Sequence, residues 1–206
     1  MDKIGFFKNE LGLIKNERIK QFAITAINDI PDYFFIVPAS SSGKNHPQYA
    51  LLEGGLVRHT KAAVIFSQEL LKLDKYKFTD DEKDLIVVAL ILHDSRKSGE
   101  FCEKQVMASD SKGEAYISKT LPEHPLLAVK AILSNTKNCS LLSKDELTKL
   151  TSGIASHMGQ WNKDFSKGLE ILPVPKTCMQ ELIHLCDYLA SRKTIEVNFS
   201  AFEYTR

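Results

Sequence analysis

Apolar positions along this chain recur mostly at three- and four-residue steps, the period of a helix with one buried face. Between 15 and 28, Ile19, Phe22, Ala23, Ala26 and Ile27 share such a face, and Pro31 ends the segment. Tyr33-Phe34-Phe35-Ile36-Val37-Pro38 reads as extended and apolar, before a Ser/Gly/Asn/Pro loop up to Pro47. Residues 56–73 carry a long amphipathic pattern with His59 near its start. Thr79-Asp80-Asp81-Glu82 is a capping box whose acidic first turn suits the helix dipole, and it opens a helix over 83–93. That helix delivers the pair His93-Asp94 at its end. Residues 98–121 are the most polar long stretch, with a turn signal at Asp110-Ser111-Lys112-Gly113, and read as a functional or mobile loop. A helix over 125–133 opens on Pro125, where a missing N–H is harmless, with His124 just before it. Ser143-Lys144-Asp145-Glu146 is a second capping box, opening a helix with His157 at its far end. Residues 177–192 are the last helix, with Asp187 inside, and 194–199 alternate loosely as a short strand would. The pattern predicts an all-α bundle whose polar core residues come from several helices.

Composition narrows the picture. The chain's 206 residues suit one domain with a real core, and its 43% hydrophobic share is ordinary for a globular protein. A net charge of +1 excludes a non-specific nucleic-acid coat protein, though not a nuclease with local charge. Cys102, Cys139, Cys178 and Cys186 show no Cys-x-x-Cys spacing and read as reduced thiols, which implies a cytoplasmic setting. Met1-Asp2-Lys3-Ile4-Gly5 lacks the apolar region of a signal peptide. No apolar run is long enough to cross a bilayer, so no membrane partner is expected.

Candidate chemistry centres on His59, His93-Asp94, His124, His157 and Asp187, each on or at the end of a helical segment. Taken singly, each histidine reads as a hydrogen-bonded core residue. The adjacent pair at the end of a long apolar helix is different. Burying it costs several kcal/mol (order of magnitude) unless something compensates, and a divalent metal held by imidazole and carboxylate does so. His184 shares the Asp187 face and reads as a core histidine, with a supporting hydrogen bond to a ligand as the alternative. Trp161 either caps the pocket or packs at a helix end.

The order His…His-Asp…His…His…Asp resembles the HD-domain metal-dependent phosphohydrolase superfamily, over roughly 44–192. Gly54-Gly55-Leu56-Val57-Arg58-His59-Thr60 is similar to its Gly-Gly-Leu-x-x-His-Thr segment. Leu92-His93-Asp94-Ser95-Arg96-Lys97 is similar to its Leu-His-Asp-x-x-Lys, and the segments around His157 and Asp187 are similar to its last two ligand segments. The resemblance implies a single HD domain over 1–206, with a helical extension and loop at 1–43, the core at 44–192 and a tail at 193–206. It implies two divalent ions (Mn, Fe, Co, Ni or Mg). His59, His93, Asp94 and Asp187 hold the first, and Asp94 bridges to a second held by His124 and His157. Met158 stands where many relatives carry another histidine. Asp94 and Lys97 are then the catalytic residues, with a metal-bridging hydroxide attacking phosphorus. Arg58, Arg96, Arg192, Lys44 and His46 are the substrate-binding candidates. The closest likeness is to the HD module of Gram-positive 3′–5′ exoribonucleases. The implied substrate is a nucleotide, another phosphorylated small molecule or a short oligonucleotide. Two rivals share the ligand order: an HD-fold di-iron oxygenase, and a metal-binding module without catalysis.

Overall fold

From Asp84 to Leu92 every residue is buried, so the helix that carries them lies at the centre and is surrounded on all sides. The computed structural model describes residues 1–40, 43–100, 120–164 and 166–200. Among these the helices run, in chain order, α1 (Lys3–Phe6), α2 (Lys8–Gly12), α3 (Glu17–Asn28), α4 (Gly55–Leu70), α5 (Asp80–Leu92), α6 (His124–Ser134), α7 (Thr136–Cys139), α8 (Lys144–Ser156) and α9 (Cys178–Ala190). A small antiparallel hairpin joins β1 (Lys163–Asp164) to β2 (Leu169–Glu170). The architecture is all-α. The central α5 packs against α3, α4, α8 and α9, while α4 packs on α9 and α6 on α8. No helix of the described residues is long and apolar enough to cross a membrane.

The helix starts follow from their caps. Thr79 and Ser143 form the two expected capping boxes, with Glu82 and Glu146 reaching back. Thr177 and Gln180 form a third at the head of α9. Asn16 caps α3, and the buried Asp84 carboxylate accepts from the backbone N–H groups of Lys15 and Asn16, at 3.0 and 2.8 Å. That contact ties the start of α3 to α5. Arg18 grips both oxygens of Glu146, at 2.8 and 2.6 Å, and so ties α3 to α8.

Two expectations fail. Residues 33–38 are not extended: Asp32–Phe35 is a 3₁₀ turn entered from Pro31. The turn sets Phe34 and Phe35 edge-on to each other, and both meet Phe7, with centroids 6.3 and 6.2 Å away. An extended run would point these adjacent rings to opposite sides. Residues 194–199 form no strand, and among the described residues the only sheet is the β1–β2 hairpin. Instead Val197 and Phe199 pack onto the core, Phe199 edge-on to Tyr49 at 5.3 Å. Most of the expected loop at 98–121, and Cys102 with it, lies outside the described residues.

The Arg18–Glu146 pair gives a pH test. The Arg18 guanidinium, with the Ser143 backbone N–H, holds the Glu146 carboxyl down at about 2 against an ordinary 4.5. A depressed carboxyl stabilises the fold above its unfolded value, and that contribution is lost as pH falls from about 4.5 towards about 2. Glu146→Gln keeps the capping box but removes the charge. We expect it to cost about 1 kcal/mol at pH 7, with the gap to wild type narrowing below pH 4.5 and closing only below about pH 2. Urea midpoints at pH 7 and pH 3 check this; a gap as large at pH 3 as at pH 7 contradicts it.

Candidate metal centre

The site is assembled from helix ends. Gly54 turns the chain with φ 69°, and a Cβ on Gly55 would run into the Ala50 carbonyl, so both glycines are required where α4 begins. The Arg58 guanidinium then donates to the carbonyls of Tyr49, Leu51 and Glu53, which pins the preceding loop. His59 thereby enters the core one turn into α4. His93 is the C-cap of α5, His157 is the C-cap of α8, and His124 is the first residue of α6. Asp187 comes from the last turns of α9.

These side chains converge on the buried Asp94 carboxylate, which is 1% exposed as a residue. Its Oδ2 faces the Nε2 atoms of His93 and His59, at 3.6 and 3.8 Å. Its Oδ1 faces the Nε2 atoms of His124 and His157, at 2.9 and 3.8 Å. Asp187 Oδ1 lies 2.9 Å from His59 Nε2 and 3.5 Å from His93 Nε2. Among the described residues two donor triads fit within 4.8 Å: His59–His93–Asp187 and His93–Asp94–His157. All six expected ligands are therefore brought together, with His93 common to both triads.

Protonation is preset by the backbone. The Nδ1–H groups of His93, His124 and His157 donate to the carbonyls of Leu90, Leu121 and Ile154, at 2.6, 2.7 and 2.8 Å. Each acceptor lies three residues earlier. In the neutral ring this fixes the tautomer and leaves Nε2 with a lone pair aimed inward. Two such lone pairs, on His124 and His157, face each other at 3.3 Å, and His93 Nε2 is buried with no hydrogen-bond partner. Such a set repels itself without a cation and fits one well. His59 differs: its Nδ1 is the buried unpartnered atom, and its Nε2 is the one beside Asp187.

The charges agree. Burial pushes the Asp94 carboxyl up, but Lys97, His93 and His124 outweigh it and hold it well below the usual range. Burial likewise opposes ionisation of Asp187, yet His59 and His93 hold that carboxyl well below its ordinary value. Burial and the neighbouring His93 push His157 down to about 3, so it is neutral. For His93, burial is outweighed by Asp94 and Asp187, and its value rises. Two ionised carboxylates and a cluster of imidazole nitrogens are the donor set of a divalent cation of borderline hardness.

The other expected residues divide. Lys97 is buried and its Nζ lies 2.6 Å from Asp94 Oδ2. The His46 ring centroid is 5.6 Å from that of His59, and burial together with His59 and Lys97 pushes His46 down to about 3. Arg58 is engaged by the three loop carbonyls. Arg96 turns to the Asp29 carbonyl and the Glu100 carboxylate, at 2.8 and 3.1 Å, beside a separate surface cleft. Arg192 lies over the Tyr188 ring, and Lys44 is on the exposed loop. His184 is more than a core histidine: its Nδ1–H donates to the His157 carbonyl at 2.7 Å. A Cβ on Gly159 (φ 56°) would overlap the His184 ring, so the small residue after Met158 makes room for this support. The three-residue step from His184 to Asp187 was the only sequence signal for it. Neither protein-family models, curated proteins nor solved structures match this chain.

Two outcomes test the centre. Asp94→Asn should reduce bound metal in both halves, whereas His124→Ala should leave about one ion per chain; elemental analysis after dialysis reads both, and a full complement in Asp94→Asn contradicts the shared carboxylate. Gly159→Ala, strained at positive φ and overlapping His184, should cost roughly 2–4 kcal/mol, seen as a lowered melting temperature.

Proposed function

We propose that this chain is a dinuclear metal phosphohydrolase of the HD-domain type, cleaving a phosphoester or phosphodiester of a nucleotide or short oligonucleotide. The observation that carries the reading is the division of the Asp94 carboxylate, one oxygen toward His59 and His93 and the other toward His124 and His157. A carboxylate so shared could contribute to holding a divalent cation on either side, with His59, His93 and Asp187 on one and His124 and His157 on the other. Divalent ions held there would supply Lewis acidity to a phosphoryl oxygen and to the attacking water.

The chain's own residues supply the rest. Asp94 and Asp187 bring two negative charges, and the Lys97 ammonium offsets one of them. With two divalent cations the balance is strongly positive, which favours an anionic substrate. Lys97 holds Asp94 in place, and its ammonium beside that carboxylate would be available to a phosphoryl oxygen. His46 is half-buried beside His59. The free Cys139, Cys178 and Cys186 suit a reducing compartment such as the cytoplasm. The same ligands would serve a di-iron oxygenase, and Lys97 is the feature that favours phosphate chemistry over it.

The deciding experiment loads the protein separately with manganese, iron, cobalt, nickel or magnesium and measures phosphate or nucleotide release alongside oxygen uptake. Release without oxygen uptake is expected; iron-dependent oxygen uptake alone points to the oxygenase, and neither activity to a binding module. Within an active preparation, Lys97→Ala should keep its metal, because the cations still compensate Asp94, and lose about 10²–10³ in kcat. Lys97→Arg should recover only part of this. An unchanged kcat in the alanine variant removes Lys97 from the reaction.

A further inference from the structure

Exposure within the cluster is uneven, and it indicates the side from which a substrate would approach. The side chains of His59, His93, Asp94, His124 and His157 are at most 2% exposed, whereas Asp187 is 17% exposed. Solvent therefore reaches the cluster beside Asp187. The next residue is Tyr188, and His184, Tyr188 and Arg192 follow at four-residue steps, one stripe along α9 and just past its end. Trp161 comes onto this stripe from the turn four residues after His157. Its ring is nearly parallel to that of Tyr188, 13° apart with centroids at 5.6 Å, and it also reaches His184 at 6.0 Å. The Arg192 guanidinium carbon lies 4.2 Å from the Tyr188 centroid and 5.9 Å from that of Trp161. All four side chains are half-buried, so the stack has an accessible part.

We propose that Trp161 and Tyr188 form a nucleobase-stacking site serving the metal centre, with Arg192 as its phosphate-seeking partner. The substrate is then a nucleoside phosphate held by its base as well as by its phosphate. This rests on the phosphohydrolase reading above. Three observations carry it. Both rings lie on segments that deliver candidate ligands, Trp161 four residues after His157 and Tyr188 next to Asp187, so a base lying on them is held close to the cluster. The face of Tyr188 already accepts a flat polar group, the guanidinium, and a base is another. Among the ion pairs of the described residues Arg192 has no carboxylate; it donates to the Tyr188 carbonyl and to Ser191 Oγ, at 3.2 and 2.9 Å. When a base replaces it over the ring, the guanidinium is free to turn to the phosphate.

Stacking a base on an aromatic side chain is worth about 1–3 kcal/mol, or roughly 5- to 150-fold in affinity. Trp161 is the only tryptophan in the chain, so its fluorescence reports on this site alone. The experiment titrates magnesium-loaded protein with adenosine 5′-monophosphate, with ribose 5-phosphate and with inorganic phosphate. Adenosine 5′-monophosphate should quench Trp161 saturably and bind about tenfold or more tightly than ribose 5-phosphate, which differs only by the base. Tyr188→Leu should bring that ratio toward one and Tyr188→Phe should retain it, whereas Arg192→Gln should weaken binding of the phosphate-bearing compounds and leave a base-dependent ratio. Equal affinities in the wild-type protein overturn the proposal, as does a full ratio in a folded Tyr188→Leu; if the variants fail to fold, the wild-type comparison decides. Base-dependent binding without phosphate release would remove the hydrolase reading and leave the stacking site. Phosphate release from both compounds at equal affinity would do the reverse.

Discussion

A single carboxylate organises the interior. Asp94 is buried just past a helix whose residues from Asp84 to Leu92 are all buried, and an isolated charge there would cost several kcal/mol (order of magnitude). Without a cation it is tolerated because Lys97 meets one oxygen at 2.6 Å. Removing that partner then leaves charge uncompensated in a low-dielectric core. The apolar length of α5 drives it inward and carries His93 and Asp94 with it. The ends of α6 and α8 must then converge on the same point to supply histidines.

The N-terminal segment takes part in this arrangement. Phe7, Leu11, Leu13 and Ile14 belong to the same hydrophobic core as α4 and α5. The buried Glu10 accepts from Lys61, two residues past His59. Tyr33 bridges the turn after Lys97: its hydroxyl donates to the Gly99 carbonyl at 2.8 Å and accepts from the Ser98 N–H at 3.0 Å. The position of Lys97 thus depends on residues more than sixty positions earlier in the chain.

Helices and caps were legible from sequence because their causes are local. A threonine or serine followed three residues later by a glutamate sets a helix start whatever lies around it, and α5 and α8 begin where those boxes stand. The candidate ligands were legible through their type and order. What escaped depends on contacts between distant segments. Phe34 and Phe35 suggest a strand by composition, but Phe7 draws both rings to one side. Arginines near the ligands suggested anion binding, yet three loop carbonyls engage Arg58, and Arg96 turns to Asp29 and Glu100. Lys97 stands four residues after His93, but its contact with Asp94 depends on how the helix ends and on the hold of Tyr33.

The contact between His59 and Asp187 joins residues 128 positions apart. During synthesis at about 5–20 residues per second, α4 and α5 leave the ribosome on the order of ten seconds before α9 can close over them. For that interval the apolar faces of α4 and α5 lack the helix that covers them, and the Asp94 side of the cluster waits without Asp187. The native arrangement of the centre is thus a late event in the life of each molecule: it cannot precede the docking of the last helix.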